Sequence, residues 1–176
     1  MKLYALPVER LCNARCKFCI TNFRNFSGNE FLEIESLRGV LNNRKFDSIE
    51  ITGGGEPTLH KNIGEIVDLC IDSAPTQIYT NGVFAKRVFE KKNLSCLCIS
   101  RAHYDDRKNH NIMGVNYNIK EAFDSKIPIK LSLLLHYSGL STVSDLEEYF
   151  KWAKSLGASK VVVRQLFEND YKGRLE

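Results

Sequence analysis

The chain has no long apolar run: nothing in its 176 residues approaches the ~18 consecutive apolar residues of a membrane span. Its first residues, Met1 to Pro7, also lack the basic region and apolar stretch that make a secretory signal. These absences lead to the expectation of a soluble, intracellular protein with no membrane partner. Basic blocks and arginine-aromatic clusters are missing as well, since 25 Lys and Arg against 21 Asp and Glu leave a formal net charge of +4 spread along the chain. Nucleic acid is thereby neither indicated nor excluded. There is no internal repeat, low-complexity tract or linker, and 43% hydrophobic with 26% charged residues is an ordinary globular composition, long enough for one sizeable core. One domain over residues 1–174 is expected. The final pair, Leu175 and Glu176, matches what a cloning junction leaves before a purification tag, so two vector-derived residues and native sequence beyond them are expected.

What is present begins with cysteine. Six cysteines would suit a disulfide framework in a small secreted domain, but three of them crowd into eight positions and the other three sit in apolar segments. Metal ligation is the better reading of the crowded three. In Cys12-Asn13-Ala14-Arg15-Cys16-Lys17-Phe18-Cys19, one tight loop can turn all three sulfurs to the same side. No second pair at finger-like spacing exists to complete a four-ligand zinc site, whereas a cube held by three thiolates keeps one iron open for a ligand that is not protein. Cys70, Cys96 and Cys98 read as small buried hydrophobes, with Cys96 and Cys98 on one face of a strand. His60, His110 and His136 are isolated and read as loop or surface residues.

Periodicity supplies the frame. Short β-rich runs at Leu3 to Val8, Ser48 to Thr52, Gln77 to Thr80, Leu94 to Ser100, Ile129 to Leu135 and Lys160 to Leu166 alternate with amphipathic segments. Those segments predict helices at about Glu33 to Asn43, Ile63 to Ser73, Ala85 to Lys91, Tyr117 to Ser125 and Val143 to Leu156, the last opened by Ser141 to Asp145 and stopped by Gly157. The fold class is α/β: a partial (β/α)6 TIM-like barrel with parallel strands, whose working rim carries the loops after the strand C-termini. The unusual tracts fall on that rim, at Arg10 to Gly28, Gly53 to His60, Asn81 and Gly82, and Arg101 to Met113.

The three-cysteine loop after a first strand, with Phe18 before its last cysteine and Gly54-Gly55-Glu56-Pro57 after the second strand, resembles the radical S-adenosylmethionine superfamily. The resemblance extends over most of the chain. It implies a radical enzyme in which Cys12, Cys16 and Cys19 hold a [4Fe-4S] cluster and the amino and carboxylate groups of S-adenosylmethionine chelate the fourth iron. It further implies reductive cleavage to a 5'-deoxyadenosyl radical that takes hydrogen from a substrate, with electrons from a flavodoxin- or ferredoxin-type donor. Phe18 is then expected near the adenine, and Gly54, Gly55 and Glu56 at the methionine ammonium, where glycines allow positive φ and close backbone approach. Glu56 is expected to position backbone rather than to move protons. Thr80, in the Tyr79-Thr80-Asn81-Gly82 turn, is expected to face the cofactor. Ser100 corresponds to the polar group that relatives place on the ribose or carboxylate, with Arg101 and His103 beside it.

The stretch Leu133 to Tyr149, with His136-Tyr137-Ser138-Gly139-Leu140, is similar to the region that flanks the adenine in relatives, in degenerate form. Arg164 and Gln165 end the sixth strand and either enter the barrel mouth or pair at the surface. The catalytic residues beyond the cofactor, and the substrate, whether small molecule, nucleotide or peptide, are not legible. Two other functions compete: a non-catalytic module binding zinc or iron and sulfur through the three thiols, and a dithiol redox protein using Cys16 and Cys19.

Overall fold

A computed structural model describes residues 1–19, 21, 30–135 and 139–165 of the chain. Six strands form one parallel sheet in sequence order: β1 (Lys2–Ala5), β2 (Ser48–Ile51), β3 (Thr76–Thr80), β4 (Cys96–Ser100), β5 (Ile129–Leu135) and β6 (Lys160–Gln165). Pairing runs from neighbour to neighbour and β6 does not return to β1, so the sheet is an open, partial barrel. The helices are α1 (Ile34–Asn43), α2 (Ile63–Ser73), α3 (Asp106–Met113), α4 (Lys120–Phe123) and α5 (Val143–Ser155).

Alternation along the strands sorts the two faces. Ile49, Ile51, Ile78, Leu97, Ile99, Leu131 and Leu133 are fully buried in one core with Ile66, Val67 and Cys70 of α2 and Tyr149 and Ala153 of α5. Burial on this scale stabilises by about 1.5–3 kcal/mol for each large side chain. The opposite, concave face is polar. The ladder registers align Glu50, Gln77 and Cys96 in one row, Tyr79, Cys98, Lys130 and Lys160 in the next, then Ser100, Ser132 and Val162, and finally Leu134 and Arg164. Cys70 and Cys98 are buried and Cys96 half-buried.

The expected helices at Glu33 to Asn43, Ile63 to Ser73 and Val143 to Leu156 form to within one residue. Thr142 and Asp145 make a reciprocal capping box on α5, and Gly157, at φ +87°, follows its end. Elsewhere tertiary demands override the pattern. Strand β1 stops at Ala5, before Val8, because Pro7 has no N–H for the ladder, and Val8 bridges Phe31 in antiparallel fashion instead. Ala85 to Lys91 is a single 3-10 turn over Ala85–Val88, since its two buried anchors, Ala85 and Val88, are three residues apart and suit three residues per turn. Tyr117 to Ser125 is helical only in α4, because Tyr117 lies under Gly82 before the helix begins. Helix α3 forms where the pattern predicts loop. Its composition is almost wholly polar, so period gives no sign of it; only Asp105, whose carboxylate accepts from Lys108 N at 2.8 Å, and Gly114, at φ +70°, mark its ends.

Candidate functional site

The cysteine loop is held at three places by backbone. At its start, Thr52 N donates to Ala5 O, Gly55 N to Val8 O and Glu56 N to Leu11 O. Beside it, the returning chain closes on the same strand end, with Glu9 N donating to Glu30 O and Leu32 N to Pro7 O. Further along, Arg15 N donates to Met113 O at 2.8 Å and Lys17 N to Ile112 O at 3.3 Å, so the carbonyl end of α3 supports the segment between Cys12 and Cys19. The helix that the pattern hides is thus part of the site.

The glycines of the second loop act by proximity. A Cβ on Gly54 would stand 2.1 Å from Glu9 O, and one on Gly55 would stand 2.2 Å from Leu11 O. Positive φ, expected there, occurs instead at Gly82, Gly114 and Gly157. The glycine run is therefore a flat seat for the cysteine loop.

Glu56 is 2% exposed and makes four hydrogen bonds. Its Oε1 accepts from Thr58 N at 3.0 Å, Thr58 Oγ1 at 2.5 Å and Thr80 Oγ1 at 2.6 Å, while Oε2 accepts from Asn81 N at 2.7 Å. The carboxylate ties the loop after β2 to the loop after β3. Asn81 carries that tie to the cysteines, donating from Nδ2 to Asn13 Oδ1 at 2.6 Å and lying 3.8 Å from Cys12 Sγ.

A cavity of about 720 Å³ opens over the strand C-termini. Cys12, Cys16, Cys19, Phe18, Gly54, Gly55, Glu56, Thr80 and Ser100 all contribute to its wall, so the structure brings together nine of the ten residues expected at the site. Thr80 is on the wall, but its hydroxyl is committed to Glu56 and Gly82 N. Among the described residues the Ser100 hydroxyl has no hydrogen bond. Phe18 packs with Ala102, Ile112, Met113 and Val115.

Arg101 is the exception. Alternation turns it away from the side that Ser100 faces, and it is 2% exposed in the interior. Its Nε donates to His103 O at 2.7 Å, and its guanidinium pairs with Asp106 and lies 5.4 Å from the Trp152 ring. It braces the turn into α3 rather than facing the cavity. His103 is buried beside it, its Nδ1 accepting from Asp105 N. His136 to Ser138 lie outside the described residues.

Reading by motif does not single out several contributors to the wall or its support, among them Asn13, Asn81, Met113 and Ser132. Asn81 is legible only as a turn residue, and Ser132 only through the alternation of β5. Arg164 and Gln165, for which spacing leaves mouth and surface equally open, are on the wall.

The three thiols suit iron. Cys12 Sγ accepts from Ala14 N at 3.4 Å, Cys19 Sγ lies 2.9 Å from Thr21 Oγ1, and Cys16 Sγ lies 3.9 Å from Met113 O. Burial, with the thiols of Cys19 and Cys12 nearby, pushes Cys16 up to about 12, and burial also raises Cys12. Closely grouped thiols resist ionising together until a cation neutralises them. The three sulfurs share the wall of one space, and three thiolates without a fourth protein ligand are the donor set of an iron-sulfur cluster with one open iron.

An open parallel half-barrel with a three-thiol loop seated on glycines at its C-terminal rim defines a class of cofactor-dependent enzyme. The family model described as the radical SAM superfamily matches residues 6–126, and the chain belongs to that superfamily. Membership implies a [4Fe-4S] cluster and S-adenosylmethionine. Among curated relatives, a protein of Methanocaldococcus jannaschii provisionally named a glycyl-radical enzyme activating enzyme is 29% identical over 82% of this chain and 59% of its own length. A GTP 3',8-cyclase of Haemophilus ducreyi is 28% identical over 85% of this chain and 48% of its own. The chain spans about half the length of these relatives. Among solved structures, Streptococcus suis SuiB bound to S-adenosylmethionine aligns with a TM-score of 0.75 at 20% identity, over 95% of this chain and 41% of that one, a likeness of fold. Among the described residues no helix is long and apolar enough to cross a membrane.

Proposed function

We propose that this chain is the core of a radical enzyme in which Cys12, Cys16 and Cys19 hold the cluster and the rest of the cavity receives S-adenosylmethionine and a substrate. The observation that carries this reading is the shared wall: the three thiols, the glycine seat and the ends of β3 to β6 line one space, large enough for a nucleoside cofactor and more. Bound there and reduced, the cluster would supply one electron to the sulfonium, whose S–C5' bond would break to leave methionine and a 5'-deoxyadenosyl radical. The protein's own part is placement. Gly54 and Gly55 keep the wall beside the cysteines free of side chains, Phe18 offers an apolar surface to the adenine, and the uncommitted Ser100 hydroxyl serves the ribose or the carboxylate. Glu56 and Thr80 hold the rim through bonds to each other and to Asn81. The substrate is a hydrogen-atom donor bound beside the 5' carbon, and electrons come from a flavodoxin- or ferredoxin-type protein in the cytoplasm.

The test is anaerobic reconstitution, iron and sulfide analysis, and electron paramagnetic resonance with and without S-adenosylmethionine. The expected result is a reduced-cluster spectrum that changes with the cofactor, and 5'-deoxyadenosine after reduction that vanishes in Cys16→Ala. A protein that takes up zinc in place of iron, or whose spectrum ignores the cofactor, sinks the proposal.

A further inference from the structure

Among the described residues, the concave face of the sheet carries more positive charge than neighbouring carboxylates neutralise. Lys130 and Lys160 lie side by side in the register, and Arg164 stands further along β6, at the cavity wall. The one carboxylate in the aligned rows, Glu50, is already met by Lys2 at 2.6 Å and by the amide of Gln77. Among the described residues neither Lys130, Lys160 nor Arg164 has a carboxylate partner. Lys130 Nζ donates instead to neutral groups, Gln77 Oε1 at 2.8 Å and Tyr79 OH at 3.1 Å. Tyr79 also holds both cations by its ring, with Lys130 Nζ 4.7 Å and Arg164 Cζ 5.7 Å from the centroid. The same imbalance marks Cys96, whose thiol is brought down to about 7 by the hydrogen bond from Cys98 and by the charges of Lys130 and Lys160.

Arg164 is the only cationic side chain on the described cavity wall, and the only carboxylate there, Glu56, is consumed by its four internal bonds. We infer that the substrate carries an anionic group, carboxylate or phosphate, and that Arg164 receives it at the β6 side of the cavity, in the positive field of Lys130 and Lys160. A guanidinium offers either oxyanion two parallel N–H bonds, while the low-dielectric sheet behind it concentrates the field. This inference rests on the radical enzyme reading, since it names the substrate class of that same cavity.

The experiment titrates the reconstituted protein, saturated with S-adenosylmethionine, by calorimetry with two probes: inorganic pyrophosphate for phosphate and tricarballylate for carboxylate. One probe is expected to bind, more weakly as salt rises, with Arg164→Gln weakening it about tenfold or more and Arg164→Lys restoring part of the loss. S-adenosylhomocysteine is expected to bind wild type and Arg164→Gln alike. If neither probe binds, or binding ignores Arg164, the inference is overturned. It is equally overturned if Arg164→Gln loses S-adenosylhomocysteine, for then the arginine serves the cofactor's own carboxylate. Wild-type protein that yields no 5'-deoxyadenosine on reduction overturns both readings, whereas 5'-deoxyadenosine formation with anion binding blind to Arg164 overturns this one alone.

Discussion

Replacing Glu56 with glutamine separates a bracket from a cofactor ligand, because the amide keeps the shape of the carboxylate and changes one contact. In Glu56→Gln the new amide oxygen would take the Oε1 position, where it still accepts from Thr58 N, Thr58 Oγ1 and Thr80 Oγ1. The new NH2 must then face Asn81 N–H, turning a charge-assisted bond of 2.7 Å into two donors nose to nose. Bonds to a charged group are worth about 1.5–3 kcal/mol each, and a buried donor left without an acceptor costs a similar amount. For a chain of this length that is a fall in Tm of about 3–10 °C. Glu56→Ala strips all four bonds and is expected to cost about 4 kcal/mol or more, with Thr58 and Thr80 hydroxyls recovering some of it by rotating.

The assay is urea unfolding of the cluster-free protein beside iron content and cofactor-dependent paramagnetic resonance of the loaded protein. The expected outcome for Glu56→Gln is a lower unfolding midpoint with cluster loading and cofactor response retained. Thr80→Val should cost less in the glutamine background than in wild type, since both changes act on one network. A variant as stable as wild type that has lost its response to S-adenosylmethionine refutes the reasoning, because the carboxylate would then be spent on the cofactor and not on the rim.

Gly54→Ala tests the seat: its Cβ would lie 2.1 Å from Glu9 O, so the cysteine loop must move, and iron per chain after reconstitution should fall by about half or more while the helical circular dichroism is kept. Gly82→Ala combines φ of +93° with a Cβ 2.6 Å from the Tyr117 ring. A loss of about 2–4 kcal/mol in urea unfolding is expected, and an unchanged midpoint would contradict the placement of Tyr117. Alkali should weaken the cluster-free protein. Burial raises the Cys70 thiol to about 12, so above the ~8.5 of an unfolded thiol the unfolded chain gives up a proton that the fold retains. Stability is then intact below about pH 8 and falls by ~1.4 kcal/mol per pH unit toward pH 12, with Cys70→Ala showing a shallower decline.

Much of the fold is legible because its signals are local. The α2 stretch from Ile63 to Ser73 buries Ile63, Ile66, Val67 and Cys70 at helical spacing, and β5 reads as Ile129 to Leu135 without error. The failures share a cause. Helix α3 shows no apolar period because its buried apolar residues are confined to its last turn, Ile112 and Met113, whose carbonyls also hold the cysteine loop. The stretch from Ala85 to Lys91 has helical composition, but only one turn of space between its two buried anchors.

At the site, the residues that spacing reveals are those whose chemistry is carried by their own side chains, such as the three cysteines. What spacing conceals is direction. Ser100 and Arg101 are adjacent and equally polar, yet strand alternation sends the first to the cavity and the second into the interior against Trp152. Arg164 looks no more functional than Arg101 in one dimension. It gains its meaning from what the folded sheet brings together: the Tyr79 ring of β3, which it shares with Lys130 of β5, and a concave face whose aligned carboxylate, Glu50, is already claimed by Lys2. Charge balance over a sheet face is a property of pairing, and pairing between strands separated by dozens of residues is the part of this protein that a linear reading cannot weigh.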